Sequence, residues 1–126
     1  MLTIDKISRI PIYEQIVEGI QREILLGFLK PSEQLPSIRE LALTLSANPN
    51  TIQKAFIELD RRGIIISSPG KGCFISEDAP EILKNRLKSK LCDIKTISEE
   101  LAMGGISEEE VICSVKEAFS KNNKPC

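Results

Sequence analysis

The 126-residue chain contains no histidine and no tryptophan, and aromatic residues make up only 4% of it. The lack of histidine removes the commonest general base, and no carboxylate pair or Ser/Lys signature replaces it. A zinc site would have to be built from cysteines and carboxylates alone. The four cysteines are far apart and lack metal-ligand spacing: Cys73, Cys92, Cys113 and Cys126. We therefore expect no enzyme, no metal site and no cofactor.

Long apolar segments are also lacking. No run approaches the roughly 20 apolar residues that span a bilayer. The first ten residues, MLTIDKISRI, include an acidic residue and lack an apolar core of signal-peptide length. With seven glycines, seven prolines and no low-complexity tract, disorder is not expected outside the ends. The sequence predicts a cytoplasmic protein, without membrane contact, that forms one compact domain and a helical appendage.

The charge shows little bias, with a net value of −1. Residues 30–76 carry six basic and four acidic side chains, whereas residues 77–126 carry eight basic and ten acidic ones. Distribution matters more than the total when a polyanion is the partner, but this polarity is weak. Charge alone does not indicate a nucleic acid.

The first half of the chain has the pattern of a winged helix over residues 10–78. A helix with isoleucine at every fourth position begins at Pro11. A second begins after Ser37, whose partner Glu40 completes a capping box, and a third begins after Asn48. Gly63 ends the third helix, and two β-rich runs, 64–67 and 73–76, enclose a glycine-containing turn. This order predicts a mainly α fold with a small β-hairpin, in which the third helix fits the DNA major groove.

The residue types on the predicted outer face of the third helix suit base recognition. Asn50 and Gln53 can each pair two hydrogen bonds with an adenine edge, Thr51 can bond a phosphate or touch a thymine methyl, and Lys54 offers charge. Arg39, on the outer side of the second helix, can reach a phosphate or a guanine.

Two further features extend the predicted DNA contact. The helix N-termini at Ser37 and Asn48 supply backbone N–H groups suited to phosphate oxygens. Lys71 lies between Gly70 and Gly72 at the wing tip and can follow the DNA backbone into the adjacent minor groove. The alternative is a solvated polar face on a three-helix bundle, which each residue taken singly favours. The order and spacing of all these features favour DNA.

Residues 79–120 are predicted to form a helical dimerisation segment, and residues 121–126 a frayed tail. An apolar repeat predicts one long amphipathic helix from 83 to 101, and a second helix begins after Ser107. The stripe has no obvious partner in so small a domain, so we expect a second chain to cover it. The alternative is that it folds back on its own domain. The predicted dimer-interface residues are Leu83, Leu87, Leu91, Ile94, Leu101, Val111, Val115 and Phe119.

Five ordered blocks resemble the DNA-binding domain of the GntR family of bacterial transcription regulators. They are PIYEQI at 11–16, LPSIREL at 35–41, NPNTIQKAF at 48–56, ELDRRGII at 58–65 and GKGCFI at 70–75. The NPNT segment and the short helical C-terminal part resemble the YtrA subfamily.

The resemblance implies a sequence-specific homodimeric repressor on an inverted-repeat operator, with DNA contacts from Arg39, the third-helix residues and the wing. It also implies that the regulated operon is the protein's own and includes a membrane transporter. The alternative function is a winged-helix module that binds proteins without DNA specificity. Whether a small-molecule effector acts on the protein stays open, because two short helices can hardly enclose a drug-sized cavity.

Overall fold

The structure, a computed structural model, describes residues 2–122, in which the chain forms six helices and one two-stranded antiparallel hairpin. The fold is therefore mainly α with a small hairpin, as predicted. The chain divides into two compact units between Arg86 and Leu87. The elements in chain order are α1 (Ile12–Leu25), α2 (Ile38–Leu45), α3 (Pro49–Arg61), β1 (Ile65–Ser68), β2 (Gly72–Ile75), α4 (Ala79–Lys88), α5 (Leu91–Met103) and α6 (Glu108–Asn122).

The core of the first unit lies where α1 packs against α3, with α2 beside them. Each helix has one apolar side, and burial of a full aliphatic side chain contributes about 1.5–3 kcal/mol. This burial fixes the rotation of α3 about its own axis. The buried residues on the two main helices are Ile16, Val17, Ile20 and Ile24 of α1 and Ile52, Ala55, Phe56 and Leu59 of α3.

The helix starts follow the predicted caps. The Ser37 hydroxyl accepts a hydrogen bond from the Glu40 N–H at 3.1 Å, and the Asn48 side-chain oxygen accepts one from the Asn50 N–H at 2.8 Å. Between these helices Ser46 has a left-handed backbone, with φ of 52°, and ends α2. The Lys6 ammonium donates to the Ser46 carbonyl oxygen at 2.7 Å, so the N-terminal segment supports the turn of the helix-turn-helix.

The wing is the hairpin of β1 and β2, paired from Ile65 with Ile75 to Ser68 with Gly72. A short third edge at Gln34 pairs with Phe74 of β2. Hydrogen bonds on both sides hold this edge: Leu35 N–H to the Cys73 carbonyl at 2.8 Å, and Ile75 N–H to the Glu33 carbonyl at 2.8 Å. The wing is therefore attached to the helical core through the segment that precedes α2.

The predicted long helix from 83 to 101 is divided in the structure, because α4 ends at Lys88 and α5 begins at Leu91. Leu83 is only 2% exposed and lies with Ala79 in the core of the first unit. It is therefore part of the winged-helix core and is not exposed with the rest of the stripe. The apolar repeat correctly indicated that this side of α4 is buried but could not show against which surface.

The second unit consists of the end of α4 with α5 and α6, and α5 contains no buried residue. Gly104 and Gly105 separate the two helices, and the Ser107 hydroxyl accepts the Glu110 N–H at 3.2 Å as the predicted cap of α6. The α6 helix extends through Asn122; the remainder of the predicted tail lies outside the described residues. The apolar side chains exposed here include Leu87, Leu91, Ile94, Ile97, Leu101, Ile112, Val115 and Phe119.

Residues 2–122 lack the features of two other classes of site. No described helix is long and apolar enough to cross a membrane. In the same part of the chain, no group of three or more cysteine and acidic side chains is placed to hold a metal ion. Cys73, Cys92 and Cys113 are free thiols, and Cys126 lies outside the described residues.

Candidate nucleic-acid interface

The solvent side of α3 presents the predicted base-reading side chains together. Asn50, Gln53 and Lys54 are exposed, while Thr51 is half-buried at the edge of this face. Ile57 is also exposed and follows Gln53 by one helical turn. The helix therefore offers amide groups, a positive charge and one branched apolar side chain on a single surface.

The two helix N-termini differ in what they can offer to a phosphate. In α3, Pro49 has no N–H, and the N–H groups of Asn50 and Thr51 both bond to Asn48. In α2, the described hydrogen bonds leave the N–H groups of Ile38 and Arg39 unused. The start of α2 is thus the better donor of backbone N–H groups, and Asn48 acts mainly as a cap that fixes how α3 begins.

Lys54 is held toward α1. Its ammonium nitrogen lies 4.1 Å from the centroid of the Tyr13 ring, which is within the range of a cation–π contact. Sequence reasoning missed this contact, because Tyr13 lies 41 positions away, on a different helix. The aromatic ring restricts the directions in which the Lys54 side chain can extend from the outer face of α3.

The wing tip is a tight turn. The Lys71 N–H donates to the Ser68 carbonyl oxygen at 2.9 Å, which closes a four-residue turn with Pro69 at its second position. Gly70 follows with φ of 78°, the left-handed conformation that the third position of a type II turn requires. Lys71 is exposed and leaves the turn on its far side.

A cleft of about 830 Å³ lies between the start of α2 and the wing. Arg39 lines it on the α2 side and Lys71 on the wing side, so the fold brings these two predicted contact residues to the same opening. Glu33 and Glu40 also line the cleft, so the lining is not uniformly positive.

The positive charge at the end of α3 is paired. The Glu58 carboxylate accepts hydrogen bonds from Arg61 Nε at 3.0 Å and from Arg62 Nε at 2.6 Å. Hydrogen bonds from Arg61 and then Arg62 lower the pKa of the Glu58 carboxyl to about 2. Arg62 also donates to the Gln21 side-chain oxygen at 3.0 Å, which ties α3 to α1. Arg62 thus ties the end of α3 to α1, and Arg61, Arg62 and Glu58 together carry one net positive charge.

The fold and the exposed face of α3 define a winged helix-turn-helix protein of the DNA-binding class. A family model described as "Bacterial regulatory proteins, gntR family" matches residues 12–75. The chain is 43% identical over 109 residues to the HTH-type transcriptional repressor YtrA of Bacillus subtilis (strain 168), covering 80% of this chain and 84% of that protein.

Solved structures give the same result. A GntR family transcriptional regulator from Listeria monocytogenes matches with a TM-score of 0.73 and 37% identity, over 90% of this chain and 98% of that one. AraR(DBD) in complex with operator ORE1 matches with a TM-score of 0.52 and 28% identity, over 60% of this chain and 93% of that one.

The chain belongs to the GntR family of bacterial transcription regulators, and its similarity to YtrA along most of both chains supports the YtrA subfamily. It is accordingly a DNA-binding transcription regulator and not an enzyme, as the sequence predicted.

We expect Glu58→Gln to lower the melting temperature at pH 7, because it removes the charge shared by Arg61 and Arg62. The pKa of Glu58 is depressed in the folded chain to about 2 from an ordinary value of 4.5. Its contribution is therefore fully present above about pH 4.5 and is lost as the pH falls toward 2. Added salt should weaken the effect, since the pairs are at the surface.

Thermal melts of both proteins between pH 2 and pH 7 measure this difference. The difference in melting temperature between wild type and Glu58→Gln should shrink as the pH falls from about 4.5 toward 2. Glu99→Gln, an exposed carboxylate on α5, serves as the control for loss of one negative charge. A gap of constant size from pH 5 to pH 2 would show that the ion pairs are not its cause.

Proposed function

We propose that the protein is a homodimeric, sequence-specific repressor that binds an inverted-repeat operator. The observation that carries the proposal is the exposed face of α3, where Asn50 and Gln53 stand free while the opposite side of the helix is buried. Amide side chains of this kind read adenine edges in the major groove, and Ile57 adds an apolar group suited to a thymine methyl. An exposed amide taken singly is ordinary surface, but here Asn50, Gln53 and Lys54 share one face of the helix that follows the turn of a helix-turn-helix.

The phosphate contacts in this proposal come from the surroundings of α3. Arg39 and the backbone N–H groups at the start of α2 hold one stretch of DNA backbone, and Lys71 follows it at the wing. Ser37 and Asn48 act through the helix caps, and the glycines of the wing let its backbone approach the DNA closely. Lys54, directed by Tyr13, supplies a further positive charge beside the bases.

The alternative, a protein-interaction module without DNA specificity, fits the exposed face less well. Cores of protein interfaces are enriched in aromatic residues and poor in charge. The outer side of α3 carries amides, a lysine, an arginine and one apolar side chain, Ile57, but no exposed aromatic residue. The operator complex found among the related structures also favours DNA.

The proposed dimer forms through the second unit. Its apolar side chains recur at intervals of three and four residues along the helices and are exposed in the single chain; Leu91 is 63% exposed and Phe119 is 62% exposed. Apolar side chains exposed in rows of this kind favour an interaction site, and a two-fold contact between identical chains is the commonest arrangement. The proposed interface comprises Leu87, Leu91, Ile94, Leu101, Val111, Val115 and Phe119, without Leu83.

The family resemblance extends the proposal to the regulated genes and the cellular location. The regulated operon is the protein's own, including a transporter, and the protein acts in the cytoplasm on chromosomal DNA. The winged helix of residues 10–78 binds DNA, and the first turns of α4 pack into its core. The remaining helical segment, up to residue 120, forms the dimer. Any effector would bind at a site shared by two chains.

A selection of random duplex DNA by the purified protein at about 0.15 M salt tests the function directly, since this salt damps non-specific phosphate binding. We expect an enriched inverted repeat whose half-site centres lie about one helical turn, or a multiple of it, apart. Enrichment of a single, unrepeated half-site would refute the dimeric mode. No enrichment, with the dimer demonstrated, would favour the protein-interaction alternative.

Substitutions separate base reading from phosphate binding. Gln53→Ala should cost about 1–3 kcal/mol on the selected duplex and relax preference at one position, because only a base contact carries sequence information. Lys71→Ala should weaken all duplexes alike and reduce the salt slope by about 1. Titrations with the selected duplex and its point variants give both quantities. Lys95→Ala, on α5, is the control for loss of one charge; a Gln53 variant with unchanged sequence preference would rule out base reading there.

Dimerisation is tested by placing a charge in the exposed stripe. Ile94→Glu should give a monomer in size-exclusion chromatography with light scattering, because the carboxylate would be buried without a partner in the proposed interface. Thr96→Glu adds the same charge on the opposite side of α5 and should remain dimeric. A wild-type monomer at micromolar concentration, or a dimeric Ile94→Glu protein, would disprove the proposed interface.

A further inference from the structure

We propose that Gln34, which lies outside both the recognition helix and the wing, is the positioning residue that holds the wing tip in its DNA-binding orientation. Its side-chain amide donates a hydrogen bond from Nε2 to the Lys71 carbonyl oxygen at 2.8 Å. A carbonyl only accepts, so the amide nitrogen must face it. The inference rests on the proposed phosphate contact of Lys71 and adds the device that directs it.

The wing needs such a brace because it is small. Its two strands have four residues each, and a two-stranded hairpin is only marginally stable on its own. Lys71 lies at the end of the turn, beyond the last ladder pair of Ser68 and Gly72. The turn bond from its N–H to Ser68 fixes one side of the residue, and the bond from Gln34 fixes the other. The backbone that carries the Lys71 side chain is therefore held at both of its polar groups.

Gln34 can act as a brace because its own backbone is fixed. The neighbouring residues Glu33 and Leu35 bond to β2 on both sides of it, and Leu35 is buried in the core. The segment leads directly into α2 and its cap at Ser37. The amide thus joins the wing tip to the same rigid segment that positions Arg39 at the other side of the cleft.

Gly72 makes room for this contact. A Cβ atom at Gly72 would lie 2.7 Å from Gln34 Nε2, closer than real Cβ contacts. The φ of Gly72, 116°, also disfavours any other residue. The family resemblance implied that the wing contacts DNA, and the structure adds an internal reason for glycine at position 72: the Gln34 amide occupies the space that a side chain would fill.

The Gln34 hydrogen bond lowers the conformational entropy that the wing loses when it binds DNA. A lysine on a mobile tip loses conformational freedom when it meets a phosphate, whereas a preorganised one loses less. The effect should appear in affinity for any sequence, because the contact is to phosphate. Loss of the brace should therefore weaken duplex binding about three- to tenfold, the range of a single hydrogen bond.

The test compares wild type with Gln34→Met, which keeps the length of the side chain but has no donor. In the free protein, ¹⁵N relaxation should show the Lys71 N–H order parameter falling from about 0.85 to below about 0.6. On a duplex of random sequence, affinity should fall about three- to tenfold and the salt slope should approach that of Lys71→Ala. In the Lys71→Ala background, Gln34→Met should have almost no effect.

An unchanged order parameter, or an equal loss of affinity with and without Lys71, would overturn the proposal. The second result would show that Gln34 contacts DNA itself or supports the fold in general. The experiment also distinguishes failure of this inference from failure of the proposed function. If Gln34 and Lys71 are coupled on random duplex but no inverted repeat is enriched, only the proposal of a sequence-specific repressor is refuted. A melting temperature for each variant separates local loosening of the wing from global destabilisation.

Discussion

The proposed recognition surface depends on the burial of one side of α3. Ile52 and Leu59 are fully buried there, and each such side chain contributes about 1.5–3 kcal/mol. The surface polar groups of the same helix contribute far less to stability. The apolar side therefore decides the rotation of the helix, and the polar side follows from it. A rotation that hid Asn50 or Gln53 would also leave their amides without partners, at about 1–3 kcal/mol for each unsatisfied group.

Charge in this protein is placed locally and is nearly balanced overall. Glu58 engages both arginines at the end of α3, and Tyr13 restrains Lys54. The two cations of the cleft, Arg39 and Lys71, lie on its two sides beside Glu33 and Glu40, and the Gln34 side chain connects the wing tip to the segment that leads into α2. A net charge of −1 is compatible with DNA binding, because the positions of the basic side chains matter more than their number.

The sequence predicted what depends on neighbouring residues. Helix caps at Ser37 and Asn48, the wing turn and the apolar sides of the helices are encoded over four or five positions, so their patterns can be read directly. Contacts between distant elements leave no such pattern. Gln34 is an ordinary polar residue in a loop, and nothing near it indicates that it reaches Lys71, 37 positions away.

The division of the C-terminal helix shows the same limit. The apolar repeat continues through residues 83–101, and neither glycine nor proline marks the break between Lys88 and Leu91. Periodicity identifies a side that is buried but does not name its partner, so Leu83 and Leu87 seemed equivalent. They differ because Leu83 still reaches the core of the winged helix, whereas Leu87 is 46% exposed.

The near-neutral charge has a consequence for the architecture of the whole regulator. Non-specific affinity for DNA comes almost entirely from phosphate contacts, and a single winged helix here offers few free cations for them. A lone domain would therefore bind any site weakly. In the proposed dimer, the second half-site would become an intramolecular contact at high effective concentration, so that modest contacts at the two half-sites would act together. In the proposed dimer, a second chain would cover the exposed stripe of the second unit, and the weaker the general attraction of each winged helix to DNA, the more recognition would depend on that second chain.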